Sequence, residues 1–241
     1  MLLSALCCAL ALCAVAMAAA GGGLGQEPVP PPPAPAGPEA GGAPDAAAPP
    51  ALVPVPLPPA LPADPAPPSR ALGRPTDGSL LRGVQLPAEG PDHYTWDPVL
   101  KRFPSRGWRR WGTDRLVRTV QEVLADVRAR HPEVPRLAIG DLSRPRGGVF
   151  GRTKDFVGHA SHQNGLDVDI YYPRDDRRRG KPRTVDQVDR RGSQQLVDAF
   201  VDAGAQYVFV GLNVGLQGPP GVVQAIGHHD DHLHVRLPPD P

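Results

Sequence analysis

Two stretches of this sequence concentrate side chains that bind metal ions. HASHQNGLDVDI, at residues 159–170, contains two histidines and two aspartates, and GHHDDHLHVRL, at residues 227–237, contains four histidines. The two stretches together hold six of the chain's eight histidines. Imidazole nitrogens and carboxylate oxygens are the ligands of catalytic zinc sites, where a fourth position stays open for water. The clustering therefore predicts a zinc centre built from both stretches.

Each stretch also includes a strand pattern that points its polar side chains in one direction. Successive side chains of a strand face opposite ways, so the two aspartates of LDVDIYY share a face, and so do the two histidines of DHLHVRL. His162 from a loop, Asp169 from the first strand and His234 from the second can therefore supply three ligands. Asp167 points the same way as Asp169, and the spacing alone leaves the choice between them open.

The catalytic base must also come from these stretches. The chain has five glutamates and none follows Glu133, which excludes an HExxH helix with its glutamate base. His232 shares a strand face with His234, and its usual pKa near neutrality suits a general base or the stabilisation of an oxyanion. His229 and His159 are expected around the metal or on the substrate side, and His159 is the better candidate for an additional metal contact.

Three further aspartates lie close to these histidines in sequence. A carboxylate that accepts a hydrogen bond from a ligand imidazole fixes its tautomer, but an aspartate can equally hold a turn or a helix end. Both interpretations remain open for Asp141, Asp230 and Asp231.

A serine hydrolase is the enzyme class that these residues do not favour. Ser161 lies between two histidines, but the sequence around it lacks the G-x-S-x-G turn that exposes such a nucleophile.

Two helices and four strands are predicted in the C-terminal part of the chain. One helix begins after the N-cap candidate Thr113, carries an apolar stripe at helical spacing from Leu116 to Val127 and ends before Pro132. A second helix runs from Ser193 to Ala203 with Gly204 after it. Strands are predicted at residues 136–142, 166–172, 206–211 and 231–237. Helices and strands do not alternate strictly, which predicts an α+β fold with a small, largely antiparallel sheet flanked by helices.

The composition divides the chain into three parts. Residues 1–20 carry no charged side chain and end in small residues, which predicts a signal peptide, or a membrane anchor if the segment stays uncleaved. Residues 21–77 are rich in Pro, Ala and Gly and are predicted to form a disordered linker, and residues 78–241 form the folded domain. The protein is therefore expected to be periplasmic or secreted.

Charge and cysteine content narrow the possible partners. The net charge is +1, so the chain lacks the strongly basic character of nucleic-acid-binding proteins, and the run RRRGKPR at residues 177–183 is typical of a solvated loop. All three cysteines lie within the first 20 residues, so an exported domain has neither disulfides nor thiolate ligands.

Three motifs resemble the penicillin-insensitive murein endopeptidases, which belong to the LAS group of zinc peptidases. They are GDLSRPRGG at 140–148, GHASHQNGLDVDIYY at 158–172 and HDDHLHVRL at 229–237. By motif position, the resemblance implies that the zinc ligands are His162, Asp169 and His234, with His232 in the catalytic role. His159 and His229 match further active-site histidines, and Asp167 is then left to support the ligands.

The resemblance implies an enzyme that hydrolyses peptide cross-links of peptidoglycan, of the D-Ala-meso-diaminopimelate type, through zinc-activated water and without an acyl-enzyme. Arg144 and Arg146, beside the predicted site, can clamp a carboxylate of the substrate or serve as plain loop residues. Two alternatives remain: a D-Ala-D-Ala-type carboxypeptidase of the same group, and a non-catalytic module that binds the cell wall.

Overall fold

The computed structural model describes residues 67–150 and 158–239. The predicted signal segment, residues 1–20, and most of the predicted linker lie outside the described residues. The strands in the described part are β1 (Arg70–Arg74), β2 (Asp77–Leu81), β3 (Val84–Gln85), β4 (His93–Thr95), β5 (Trp111–Gly112), β6 (Leu137–Ile139), β7 (Asp167–Tyr171), β8 (Tyr207–Gly211), β9 (Val223–Ile226) and β10 (His232–Arg236). The helices are α1 (Asp114–Arg130) and α2 (Arg190–Asp202).

A six-stranded sheet forms the centre of the fold. Its strand order is β4-β6-β7-β10-β8-β9, with antiparallel pairing in the middle and parallel pairs, β4 with β6 and β8 with β9, at the two edges. Two small antiparallel two-stranded sheets, β1 with β2 and β3 with β5, complete the described strands. The predicted α+β fold with a largely antiparallel sheet is confirmed.

One hydrophobic core joins the sheet to both helices. Val168 and Ile170 of β7 and Leu233 and Val235 of β10 are fully buried in it. The same cluster contains the apolar side chains of both helices, among them Leu116, Val120, Leu124, Leu196, Val197 and Phe200. Each such side chain stabilises the fold by about 1.5–3 kcal/mol relative to exposure. The core therefore fixes β7 and β10, the two strands with the predicted ligands, from their apolar face.

Helix α1 forms where its periodicity predicts it. The Thr113 hydroxyl accepts a hydrogen bond from the Leu116 N–H, which satisfies one of the donors that a helix start leaves unpaired. Every residue of the predicted apolar stripe is buried.

Helix α2 starts earlier than predicted, at Arg190 instead of Ser193. The Asp189 carboxylate accepts a hydrogen bond from Gly192 N–H and caps the helix. The polar sequence DRRG at residues 189–192 is typical of a loop. Asp189, as a possible N-cap, is the feature that could have predicted the earlier helix start. The predicted stop is in place, since Gly204 has a φ of +79°, the left-handed conformation common after a helix end.

The sequence analysis missed several strands outside the centre of the sheet. Hairpin β1–β2 begins at Arg70, so the predicted domain start at residue 78 falls inside this hairpin, within the part assigned to the linker. Strands β4 and β9 were also not predicted, because both are short and lie at the sheet edges.

The described residues contain no helix that is both long enough and apolar enough to cross a membrane.

Candidate metal centre

Antiparallel pairing of β7 and β10 places two predicted ligands opposite each other. His234 is the register partner of Asp169, and its Nδ1 lies 3.3 Å from Asp169 Oδ1. Both residues are almost completely buried. The polar faces that strand alternation predicts for β7 and β10 therefore lie side by side in the sheet.

His162 reaches the same carboxylate from the loop before β7. It is fully buried and has a φ of +66°, which is uncommon for a residue other than glycine. Its Nδ1 donates a hydrogen bond to the carbonyl oxygen of Leu142 (2.5 Å). Because Nδ1 carries the proton, Nε2 presents its lone pair, and it lies 3.2 Å from Asp169 Oδ1. Burial lowers the pKa of His162, which favours the neutral form that binds metals.

The unsatisfied atoms at this point fit a metal cation. His162 Nε2 and Asp169 Oδ1 are buried and have no hydrogen-bond partner within the described residues. Buried polar atoms are normally paired, and each one left unpaired costs about 1–3 kcal/mol. Ligand atoms around tetrahedral zinc are about 3.3 Å apart, given Zn–N distances near 2.0–2.1 Å. The observed separations of 3.2 and 3.3 Å match this spacing.

Asp167 supports the ligands through hydrogen bonds. Its Oδ1 accepts from His234 Nε2 (2.9 Å), so Nδ1 is the His234 nitrogen that faces Asp169, and its Oδ2 accepts from the His162 backbone N–H (3.0 Å). Arg236 Nε also donates to Asp167 Oδ1 (2.6 Å). Asp167 thus orients both histidines, and it is Asp169 that faces their free nitrogens.

The contact between His234 and Asp167 shifts their pKa values in opposite directions. Burial acts against the protonated form of His234, but its contacts with Asp167 and Asp169 together outweigh burial and raise the pKa of His234 to about 9, so a metal ion that binds Nδ1 displaces a proton there. Burial also acts to raise the pKa of Asp167, yet the same histidine holds it well below its usual range. Both carboxylates at the centre are therefore ionised, as metal ligands and their supports need to be.

His159 has two kinds of contact, one typical of a predicted metal ligand and one typical of a residue that supports the ligands. Its Nε2 donates to Asp141 Oδ2 (2.7 Å) and lies 3.6 Å from Asp169 Oδ2. Among the described residues, the group whose ligand atoms all lie within 4.8 Å of one another is His159, His162 and Asp169, and His234 is not part of it. Burial acts to lower the pKa of His159, but the nearby carboxylates outweigh it and raise the pKa.

His232 and His229 lie together on the open side of Asp169. His232 Nδ1 donates to Asp231 Oδ1 (2.6 Å), so its Nε2, 3.8 Å from Asp169 Oδ1, is the nitrogen that can accept a proton. The His229 ring centroid lies 4.7 Å from that of His232, and His229 Nδ1 donates to the Gly227 carbonyl (2.7 Å). Burial, and next the charge of His232, lower the pKa of His229 to about 4, so His229 is neutral at pH 7.

A cleft of about 530 Å³ opens onto these groups. Its lining includes His159, His228, His229, His232 and His234. His232 and His234 therefore lie beside a space that is large enough for part of a peptide substrate.

Three residues predicted near the site have other contacts in the structure. Asp230 accepts hydrogen bonds from the backbone N–H (3.1 Å) and the side chain (2.7 Å) of Asn213, which is the turn role left open by the sequence. Arg144 is exposed, and its guanidinium lies 5.4 Å from the Trp108 ring centroid. Arg146 is exposed as well, and neither arginine is among the described residues that line the histidine cleft.

Two arginines that contact aspartates of the predicted site were not predicted from the sequence. Arg109 is fully buried and forms a bidentate ion pair with Asp141, the carboxylate that binds His159. The sequence contains no signal that separates Arg109 from its neighbour Arg110. Arg236, which binds Asp167, lies two residues after His234 on the same face of β10, so strand alternation was the signal that could have found it.

A comparison with known families matches residues 71–206 to the penicillin-insensitive murein endopeptidase model. The chain belongs to this family. The resemblance predicted from the motifs is confirmed, and the matched part of this family member includes His159, His162 and Asp169. The match ends before His229, His232 and His234. The register of β10 with β7 brings His232 and His234 to the same site.

Three relatives carry the name penicillin-insensitive murein endopeptidase. The protein of Yersinia enterocolitica is 32% identical over 102 residues, which is 42% of this chain and 32% of the relative. The protein of Haemophilus influenzae is 28% identical over 137 residues (57% and 40%), and that of Escherichia coli O157:H7 is 32% identical over 129 residues (52% and 42%). The aligned part of this murein endopeptidase family member thus spans about a third to two fifths of the length of these relatives.

Proposed function

We propose that this protein is a zinc-dependent endopeptidase that hydrolyses peptide cross-links of peptidoglycan, of the D-Ala-meso-diaminopimelate type. The observation that carries the proposal is the pair of buried, unsatisfied atoms, His162 Nε2 and Asp169 Oδ1, beside the free nitrogen of His232. Membership of the penicillin-insensitive murein endopeptidase family and the names of the relatives support the substrate.

The residues that would hold zinc are His162, Asp169 and His234, with His159 as a further candidate. The set offers nitrogen and oxygen atoms, and no cysteine occurs after Cys13. Nitrogen and carboxylate oxygen together are the donor set of catalytic zinc sites in peptidases. Zinc supplies a Lewis acid that polarises a carbonyl and makes water nucleophilic near neutral pH.

His232 would move the proton during hydrolysis. Asp231 holds the proton on Nδ1, so Nε2 accepts the proton of the attacking water and can pass it to the leaving amine. His229, neutral at pH 7, packs beside His232 without adding a competing positive charge. No side chain forms a covalent bond with the substrate in this scheme, which explains why a reagent that acylates serine would not inhibit the enzyme.

The His232→Ala variant tests the proton role separately from metal binding. Cleavage should fall by about 10²- to 10⁴-fold, the usual contribution of a general acid-base group. Metal content, measured by elemental mass spectrometry, should stay near the parent level because Asp231 rather than the metal binds His232 Nδ1. The control is Asp230→Asn, a neighbouring change whose carboxylate contacts Asn213. Parent-like cleavage by His232→Ala would contradict the role.

The activity itself can be tested with purified, cross-linked muropeptide dimers. The full chain is incubated with dimers as purified, after chelation and after zinc is restored, and the products are weighed by mass spectrometry. We expect metal-dependent conversion of dimers to monomers, and the monomer masses identify the bond. Loss of D-Ala from intact dimers would replace the proposal with a carboxypeptidase, and no product in any condition would leave a wall-binding module.

We also propose that the protein acts outside the cytoplasm, in the periplasm or as a secreted protein. The support is the uncharged, apolar segment at residues 1–20 together with the location of peptidoglycan. N-terminal mass spectrometry of the protein recovered from its producing cell should show a terminus near Ala20. A protein that retains Met1 and stays in the soluble cytoplasmic fraction would contradict export.

A further inference from the structure

A second cleft, of about 690 Å³, is lined mainly by cations. We call it the basic cleft, and its cationic lining residues are Lys101, Arg174, Arg178, Arg179, Lys181 and Arg183. No acidic side chain is among its described lining residues, and the uncharged ones are Trp96, Gly180 and Gln187. The run RRRGKPR, which the sequence analysis treated as a solvated loop, therefore forms one wall of a cleft.

Carboxylates near the basic cleft neutralise only part of its charge. Asp176 contacts Arg174 and lies 3.8 Å from Arg178, Glu89 accepts a hydrogen bond from Arg179 (3.1 Å), and Asp231 contacts Lys181. Lys101 and Arg183 are exposed and form no salt bridge within the part of the chain that the structure describes. The cleft thus retains positive charge that an anionic ligand can pair with.

A third, smaller cleft of about 350 Å³ shares lining residues with both the basic cleft and the histidine cleft. Arg183 lines both the basic cleft and the smaller cleft, and His228 lines both the smaller cleft and the histidine cleft. Lys181 contacts Asp231, the carboxylate that holds His232. The three clefts are therefore neighbours, and a chain molecule bound at His232 can extend toward Arg183.

We propose that the basic cleft binds free carboxylates of the peptide strand on one side of the scissile amide. The inference rests on the proposed function, because cross-linked stem peptides carry several such carboxylates. Arg183 and Lys101 are the residues assigned to these contacts, since guanidinium and ammonium groups form strong, charge-assisted hydrogen bonds with carboxylates. A phosphate-bearing wall polymer would match the charge too, but the shared walls with the histidine cleft favour the peptide.

Binding can be measured without turnover by titrating the full chain with an uncross-linked stem tetrapeptide in a calorimeter. The same peptide with its carboxylates converted to amides serves as the comparison ligand. We expect the Lys101→Gln/Arg183→Gln double variant to bind the free peptide at least about tenfold more weakly, because one charge-assisted hydrogen bond contributes about 1.5–3 kcal/mol. The matched control is Arg177→Gln, an exposed arginine of the same run that is not among the lining residues.

Kinetics on cross-linked dimers add a second readout. The double variant should raise KM and leave kcat near the parent value, since neither residue contacts the metal centre. Equal affinity for the free and the amidated peptide, or parent-like affinity in the double variant, would overturn the proposal. So would a titration in which a phosphate-bearing wall polymer binds and the peptide does not. Charge-dependent peptide binding without any cleavage of dimers would support the basic cleft and count against the proposed function.

Discussion

Replacing His162 with alanine is expected to abolish both metal retention and cross-link cleavage. The residue is fully buried, and Leu142 fixes its tautomer so that Nε2 faces Asp169. Loss of a group that only orients a ligand costs roughly 10- to 100-fold in metal affinity or activity, so loss of a ligand should exceed about 100-fold. His234→Ala should have the same effect, because its Nδ1 lies 3.3 Å from the same carboxylate oxygen.

The matched control is His131→Ala, a half-exposed histidine at the end of α1, away from the sheet face with the site. Metal content is measured after dialysis, and cleavage is followed by the conversion of muropeptide dimers. Circular dichroism reports whether each variant is folded. A folded His162→Ala protein that keeps its metal and its activity would show that the centre is held by other residues, with His159 the first to consider.

Arg109→Met is expected to destabilise the protein by about 3–5 kcal/mol. The guanidinium and the Asp141 carboxylate are both buried, with Arg109 Nε 2.6 Å from Asp141 Oδ1. Methionine preserves much of the side-chain volume but leaves Asp141 as a buried charge without its partner, and this is the costly situation for an ion pair. The measurement is the midpoint of denaturant unfolding, followed by tryptophan fluorescence and circular dichroism.

Arg130→Met serves as the comparison for this stability change. Arg130 pairs with Asp126 one helical turn earlier, and both side chains are about half exposed. Exposed pairs of this kind contribute about 0.3–0.5 kcal/mol, so the variant should unfold close to the parent. Equal midpoints for Arg109→Met and the parent would mean that another cation, with His159 the first to consider, compensates the Asp141 carboxylate.

The sequence was sufficient for the parts of the fold that depend on regular periodicity. The stripe from Leu116 to Val127 predicted α1, and the alternation in β7 and β10 predicted which residues face the core and which face the site. Both patterns arise because a helix or strand repeats its facing direction at a fixed interval. The same alternation was enough to place Asp169 and His234 on polar faces.

The parts that sequence reasoning missed depend on contacts between distant segments. Spacing left Asp167 and Asp169 equivalent, and the difference between them arises from Arg236 and His234 on the neighbouring strand. Arg109 contacts Asp141 across 32 positions of the chain, and no local pattern reports such a pair. The strands of hairpin β1–β2 have one buried residue, Leu80, and rely on pairing with each other more than on burial, so no apolar periodicity marks them in the sequence.

The pairing register of β7 and β10 determines how two of the predicted ligands are placed before a metal ion binds. Asp169 and His234 are held side by side by backbone pairing and by a hydrophobic core on the opposite face, so their separation does not depend on an ion. The proposed site is preorganised at these two predicted ligands, and little conformational entropy would have to be lost there on metal binding. A larger or smaller ion would be accommodated chiefly by His162, whose ring is held by a loop contact with Leu142 instead of by the sheet. Discrimination between metals should therefore be altered most readily at the loop, and the strands should set the baseline affinity.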